Sequence, residues 1–448
     1  MNSSRTERQI FSVVGTLTIV AGLSACASAL PTPATPLAVP PTNTSITLTY
    51  WHTETGTAAT ALAALADDFH KAYPNITVRG EPKASEGDLL REGLGAMALN
   101  QTPDFIITGN RTIAEFARKG VLVDLDTLAN DATQGLSAVD RSDFIPGLID
   151  AGRLPDVKNQ WFDFPFDKNA VVLYYNADLL QAVKADAPPR TWDQFSNAAR
   201  ATTRGTVRGW VMSPNAATFD AFLFSRGDSV LVTRGAQTQA QFVDDAGLKS
   251  LQLILALTRS GAAYLVDNAD LARSDFAQGK TALWFSTTDD LAVIADAVAR
   301  AGNFKWGVAN IPQNDPAQAA TAILGTDLAI FRPVGGATDE RVRAAWLFAR
   351  WLALPEQSAR WTRATLSIPV RLSAQSLLAN NLPPNFQRLR DGLSEGLPVV
   401  KPLPAVKDAD LIDAAMVELW INVANGADPA TALKNATTRV NRVLGMIQ

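Results

Sequence analysis

Residues 161–180, WFDFPFDKNAVVLYYNADLL, constrain the fold more than any other stretch of the chain. Aromatic residues surround Pro165, the polar trio Asp167, Lys168 and Asn169 follows, and Ala170-Val171-Val172-Leu173-Tyr174-Tyr175 then runs apolar and β-rich to Asn176. An apolar run without alternation suits a strand buried on both faces. The polar trio before it suits backbone that skirts water. With 448 residues the chain is too long for one ordinary core. This stretch is therefore expected to be where the chain leaves one lobe and enters another.

The pattern on either side is that of an α/β protein. Ile46-Thr47-Leu48-Thr49-Tyr50-Trp51 alternates as a strand, residues 58–73 set Leu62, Leu65, Ala66 and Phe69 at helical spacing, and Ile76-Thr77-Val78 opens a second strand. In such a β-α-β unit the polar loop of residues 52–57 leads from a strand's carboxyl end to a helix N-terminus, where α/β sheets commonly bind ligands. A helix over 88–99, a buried strand over 104–107 with the loop Thr108-Gly109-Asn110-Arg111, a helix over 113–119 and an edge-like segment over 121–128 continue the alternation. Beyond Pro188-Pro189, Thr191 is placed to cap a helix running from Trp192 toward Thr202. Strands are expected at 209–212 and up to Phe285, the latter followed by the loop Ser286-Thr287-Thr288-Asp289. Helices are expected over 248–259, 291–300, 339–354, 356–364, 410–423 and 430–446. Residues 323–331 and 368–371 are candidate second and third crossings. The lobes read as 46–166 with 332–371, and 167–331 with 372–448.

Hydrophobic residues make up 47% and charged residues 19%, a globular composition. A net charge of -4 offers no chain-wide basic excess for nucleic acid. The histidines are His52 and His70 and the cysteine is Cys26, which leaves little material for a zinc site, a disulfide framework or a cysteine nucleophile. No metal and no other cofactor is expected. The chain has no G-x-S-x-G elbow and no H-E-x-x-H, and the GKT at 279–281 has Ser274 where a phosphate loop requires glycine. No catalytic residue is therefore assigned, although two of 44 acidic residues could in principle serve a secreted glycosidase. A surface sensor is a further alternative.

Residues 1–25 read as an export signal: Arg5 and Arg8, an apolar core over 10–23 too short to span a bilayer, then small residues. Leu23-Ser24-Ala25-Cys26 resembles the lipobox of bacterial lipoproteins, in which a lipid is attached to the cysteine thiol and cleavage leaves that cysteine first. That implies a chain anchored through Cys26 at the outer face of the cell membrane, facing a periplasm or the cell surface. Residues 26–45, rich in Pro, Thr and Ala, form a semi-extended spacer.

Several motifs in order resemble the family 1 bacterial extracellular solute-binding proteins, the receptors of sugar-type ABC importers. They are YWHTETG, FHKAYPNITV, PDFIITGN before FARKGVLVDL, FPFDKNAVVLYYNADLL, PPRTWDQF, FAQGKTALWFS, WGVANIP, and WLFARWLALPEQSARW before SIPVR. The resemblance spans essentially the mature chain. It implies a two-lobe periplasmic-binding-protein-like clamp with multiple hinge crossings, a sugar or oligosaccharide held in the cleft, delivery to ABC permease subunits, and a monomer. Glycerol-3-phosphate or a glycerophosphodiester is the alternative ligand: WH near the start, PF before VLYYN and the paired prolines before TW look like that branch. The segment around Val406 and Lys407 lacks the arginine expected there.

Sugar recognition sets aromatic faces against pyranose rings and planar polar groups against hydroxyls. The candidate ligand-binding residues are Trp51, His52 and Glu54 in the first loop, Thr108 and Asn110 in the second, Asn169 and Tyr174 at the first crossing, Ser286, Thr287 and Asp289 in a later loop, Gly325 and Thr326 at the second crossing, and Arg371. By resemblance Asn169 takes a position that maltose-binding relatives fill with a carboxylate, and Gly325 one where backbone approaches ligand. Trp210, Trp284 and Trp361 are lesser candidates.

Overall fold

The computed structural model of the chain describes residues 45–234, 237–242, 245–301, 304–333, 339–378, 387 and 399–446. Cys26 and the spacer up to residue 44 lie outside them. The first lobe opens with β1 (Ile46–His52), α1 (Gly56–Ala72), β2 (Ile76–Pro82), α2 (Glu86–Ala98), β3 (Phe105–Gly109) and α3 (Asn110–Arg118). The alternation of β1 sends Ile46, Leu48 and Tyr50 into one core, and α1 adds Leu62, Leu65, Ala66 and Phe69. Ser85 caps α2 by accepting from the Asp88 amide. Residues 121–128 do not form an edge strand: Leu122 makes only an isolated bridge with Phe331, and Leu125–Ala129 turn as a short helix capped by Asp124.

Next come β4 (Phe164–Asn176), α4 (Trp192–Thr202), β5 (Arg208–Met212), α5 (Ala216–Phe224), α6 (Asp245–Arg259), β6 (Ala263–Leu265), β7 (Thr281–Thr287), α7 (Leu291–Ala301), β8 (Trp306–Ala309) and β9 (Ala320–Ile330). Thr191 and Gln194 make the capping box of α4. The described chain ends with α8 (Asp339–Leu352), α9 (Pro355–Thr365), α10 (Ala374–Leu378), β10 (Val399–Pro402), α11 (Ala409–Ala424) and α12 (Pro429–Val443).

One ten-stranded sheet runs through both lobes in the order β6-β5-β7-β4-β9-β3-β1-β2, with β8 also paired to β4 and β10 to β9. At its centre β4 and β9 lie antiparallel. Each strand serves more than one core. On β4, Ala170 belongs to the core that holds Phe69, Phe105, Trp346 and Phe348, whereas Val171 belongs to the one that holds Phe195, Trp210, Phe222 and Trp420. On β9, Ala320, Ala322 and the half-buried Leu324 side with the latter and Ile323, Leu328 and Ile330 with the former. A third passage follows α9: the Ile368 amide donates to the Lys168 carbonyl at 2.7 Å, Val370 lies in the first core, and Ala374 and Leu378 join Val172 and Tyr174.

The pairing of β9 with β3 turns Leu328 and Ile330 into the first core. The polar trio lies within β4. Lys168 pairs with Asp327 across the two strands at 2.6 Å, both buried, and nearby Asp163 is buried with neither carboxylate oxygen bonded among the described residues. Burial and the Asp327 charge push the Asp163 carboxyl well up, Lys168 opposing.

After β10 the chain is gripped by α3: Asn110, Arg111 and Arg118 donate to the carbonyls of Leu403, Pro404 and Ala405 in turn. Arg111 also reaches Asp413 on α11 with two bonds of 2.6 and 2.9 Å.

Gly325 permits the central pairing. Its φ is +114°, and an added Cβ would lie 2.1 Å from the Asp167 carbonyl oxygen, beside the irregularity at Thr326/Asp327. Gly325→Ala is expected to lose about 2–4 kcal/mol of stability, read as a lower urea midpoint at unchanged slope. A midpoint equal to that of the parent chain would mean that β9 relaxes around the methyl group.

Candidate functional site

Where the first-lobe strands end and the crossing strands pass between the cores, polar side chains converge on a seam. Glu54, in the loop after β1, accepts from the Thr326 hydroxyl at 2.7 Å. Thr326 pairs with Asp167 on one side and Gly109 on the other. Asp167 accepts from the Trp361 indole at 3.1 Å, and Glu86 accepts from the Gly109 amide at 3.1 Å. Asn169, two residues along β4 and on the same face as Asp167, accepts from the Thr288 hydroxyl at 3.0 Å. Asp289 follows at the solvent-reached edge.

The charges in this seam are mostly of one sign. The Glu54 carboxyl is pushed up to about 7 by burial and the Asp167 charge, with the Thr326 bond opposing and Glu86 adding a little. Asp289 is raised by desolvation at the cleft wall, with the Thr287 hydroxyl opposing and the Asp290 and Asp167 charges adding. The neighbouring cations have partners already: Arg111 has Asp413 and Asp410, Lys168 has Asp327, and Arg273 has Asp290. Among the described residues no three His, Cys, Asp or Glu side chains form a metal-binding group. The seam can accept hydrogen bonds from hydroxyl or ammonium groups, and Asn169 can donate.

Glu54, Asn169, Thr326, Thr287 and Asp289 thus lie along the seam or its wall. His52 and Thr108 stand at adjacent strand ends, buried, with His52 Nδ1 and the Thr108 hydroxyl unbonded among the described residues. Burial lowers the His52 pKa, the Glu54 backbone opposing. Asn110 is occupied by the Leu403 carbonyl, and the Ser286 hydroxyl by Asp290.

Four candidates are placed elsewhere. Trp51 packs against the core of Leu89, Ile106 and Phe116 and carries the Lys83 ammonium 3.9 Å from its ring centre, because alternation along β1 turns it away from the side of Tyr50 and His52. Tyr174 is wholly buried beside Trp284 and donates to the Thr287 carbonyl at 2.8 Å. Arg371 is buried over the Phe144 ring and donates to the carbonyls of Ala353 and Asp140. Gly325 faces a close approach of strand to strand, as its Cβ space is filled by Asp167 backbone. Of the lesser candidates Trp210 and Trp284 are core, and Trp361 reaches the seam through its indole nitrogen. Sequence reasoning missed Glu86 and Asp167, and it singled out the loop that holds Thr288 without assigning that residue a role. Glu86 follows the carboxyl end of β2, so the rule that selected Glu54 could have found it; Asp167 and Thr288 gain meaning only from cross-strand pairing.

A family profile described as "Bacterial extracellular solute-binding protein" matches residues 64–388. The chain belongs to this family. Among relatives, the solute-binding protein is 23% identical over 420 residues to the sn-glycerol-3-phosphate-binding periplasmic protein UgpB of Salmonella typhimurium, covering 89% of this chain and 92% of that one. It shares its two-lobe fold with the sugar-binding protein MalE of Xanthomonas citri (TM-score 0.75, 22% identity, 89% and 98% of the two chains). UgpB of Mycobacterium tuberculosis in complex with glycerophosphocholine has the same fold (TM-score 0.68, 20% identity, 90% and 99%).

Because Glu54 holds in the folded solute-binding protein a proton that the unfolded chain releases, its contribution to stability is full below about 4.5 and is lost as pH rises through about 7. Glu54→Gln should remove that loss. Relative to the parent chain the variant is expected to gain on the order of 1–2 kcal/mol on going from pH 5 to pH 8, measured by urea unfolding. An unchanged difference at the two pH values would mean that Glu54 is ionised throughout.

Proposed function

We propose that this chain is the substrate-binding component of an ABC importer and closes its two lobes over a polyhydroxylated, sugar-type solute. The observation that carries this reading is the seam itself: carboxylates and one amide between the cores, beside cations that already have partners. Hydroxyl groups of a sugar can donate to Glu54, Asp167 and Glu86, whereas a phosphate dianion would meet like charge there. Binding energy drawn from both lobes would stabilise the closed state. The cores support a first lobe of residues 46–170, 323–371 and 399–402, and a second of 171–322, 372–378 and 406–446.

A second reading, a glycerophosphodiester, is favoured by the UgpB relatives and by one further observation. A quaternary ammonium would suit the carboxylates, while the phosphate could draw Arg111 away from Asp413.

Thermal shift and calorimetry with maltose, mannotriose, glycerol-3-phosphate and glycerophosphocholine separate the two. Neutral oligosaccharides are expected to stabilise the protein and to compact it in small-angle scattering. Stabilisation by the phosphate compounds alone would overturn the sugar reading, and binding without compaction would overturn closure.

We place the chain at the outer face of the membrane, held by a lipid on Cys26. Cys26→Ser is expected to move it from the membrane to the soluble fraction, and retention of the variant in membranes would end that assignment.

A further inference from the structure

Thr288 is wholly buried and makes two hydrogen bonds, and their order settles the orientation of a neighbour. The Ala170 amide lies 3.2 Å from the Thr288 hydroxyl oxygen, and the Asn169 side chain lies 3.0 Å from it. A backbone N–H only donates, so the hydroxyl accepts from Ala170; among the described residues Asn169 is its other partner, and because the buried hydroxyl hydrogen needs an acceptor, it goes to Asn169. The Asn169 atom facing Thr288 must then be the carbonyl oxygen Oδ1, which turns the amide nitrogen the other way. Among the described residues nothing bonds to that nitrogen, although Asn169 is 8% exposed. The carboxylates of Glu54, Asp167 and Glu86 make the rest of the seam a row of acceptors.

We infer that Thr288 is a positioning residue that locks the Asn169 amide so that its N–H groups face the cleft, where they read an acceptor oxygen of the solute that carries no hydrogen, such as a ring or glycosidic oxygen. The inference rests on the sugar reading above. Thr288 belongs to the second lobe's loop and Asn169 to the crossing strand, so the lock spans the seam. Without it the amide can flip, and its oxygen would then repel the ligand atom that its nitrogen should meet.

The test compares Thr288→Val and Thr288→Ser in calorimetric titrations with maltose and with mannotriose. Valine keeps the shape and removes the hydrogen bonds; serine keeps them. Thr288→Val is expected to weaken binding about tenfold and Thr288→Ser to stay within about twofold of the parent chain. A merely structural role would lower the melting temperature of the valine variant without a Ser-rescued loss of affinity, and that outcome overturns the inference. If neither sugar binds the parent protein, the sugar reading fails. Neutron diffraction from deuterated crystals then decides the orientation alone: Asn169 deuterons directed away from Thr288 uphold the lock, and deuterons directed at Thr288 refute it.

Discussion

The antiparallel pairing of β4 with β9 is the constraint on which the other features depend. Both strands leave one core and enter the other within a few residues of the same level, so the sheet is continuous where the hydrophobic interior is not. Backbone hydrogen bonds hold the seam together, and the side chains there are free to be polar. Asp167 and Thr326 stay half-buried there and Asn169 is buried, and each has a hydrogen-bond partner that offsets its desolvation: Trp361, Glu54 and Thr288 respectively.

The two faces of that pairing treat charge in opposite ways. On one, Lys168 and Asp327 are sealed together beside Asp163, whose carboxyl burial pushes well up. On the other, Glu54 is left beside Asp167 and Glu86, and burial first, with the Asp167 charge after it, pushes its carboxyl up to about 7. Evolution often leaves such unrelieved electrostatics where a ligand will relieve it.

Much of the architecture was legible in the sequence. Apolar periodicity located the helices and strands closely, and Thr191 marked the start of α4 to the residue. The crossing at 164–176 stood out because no ordinary surface strand is apolar on both faces. Legibility failed where an outcome depends on which strands become neighbours. Leu122 and Leu125 look like an edge strand locally, yet Phe331 offers only one bridge and the backbone turns. Trp51 and Tyr174 have the chemistry of sugar platforms, but the pleat sends both into packing. The roles of Asp167 and Thr288 required knowing that β9 and the loop after β7 flank β4.

The grip of α3 on residues 403–405 acts on three consecutive main-chain carbonyls. Such a grip is nearly blind to side-chain identity along the strap, since every residue supplies the same acceptor. It is sensitive instead to length. Adding or removing one residue between β10 and Ala405 would put each donor opposite the wrong carbonyl, while Leu403, Ala405 and Val406 still have to pack against the cores.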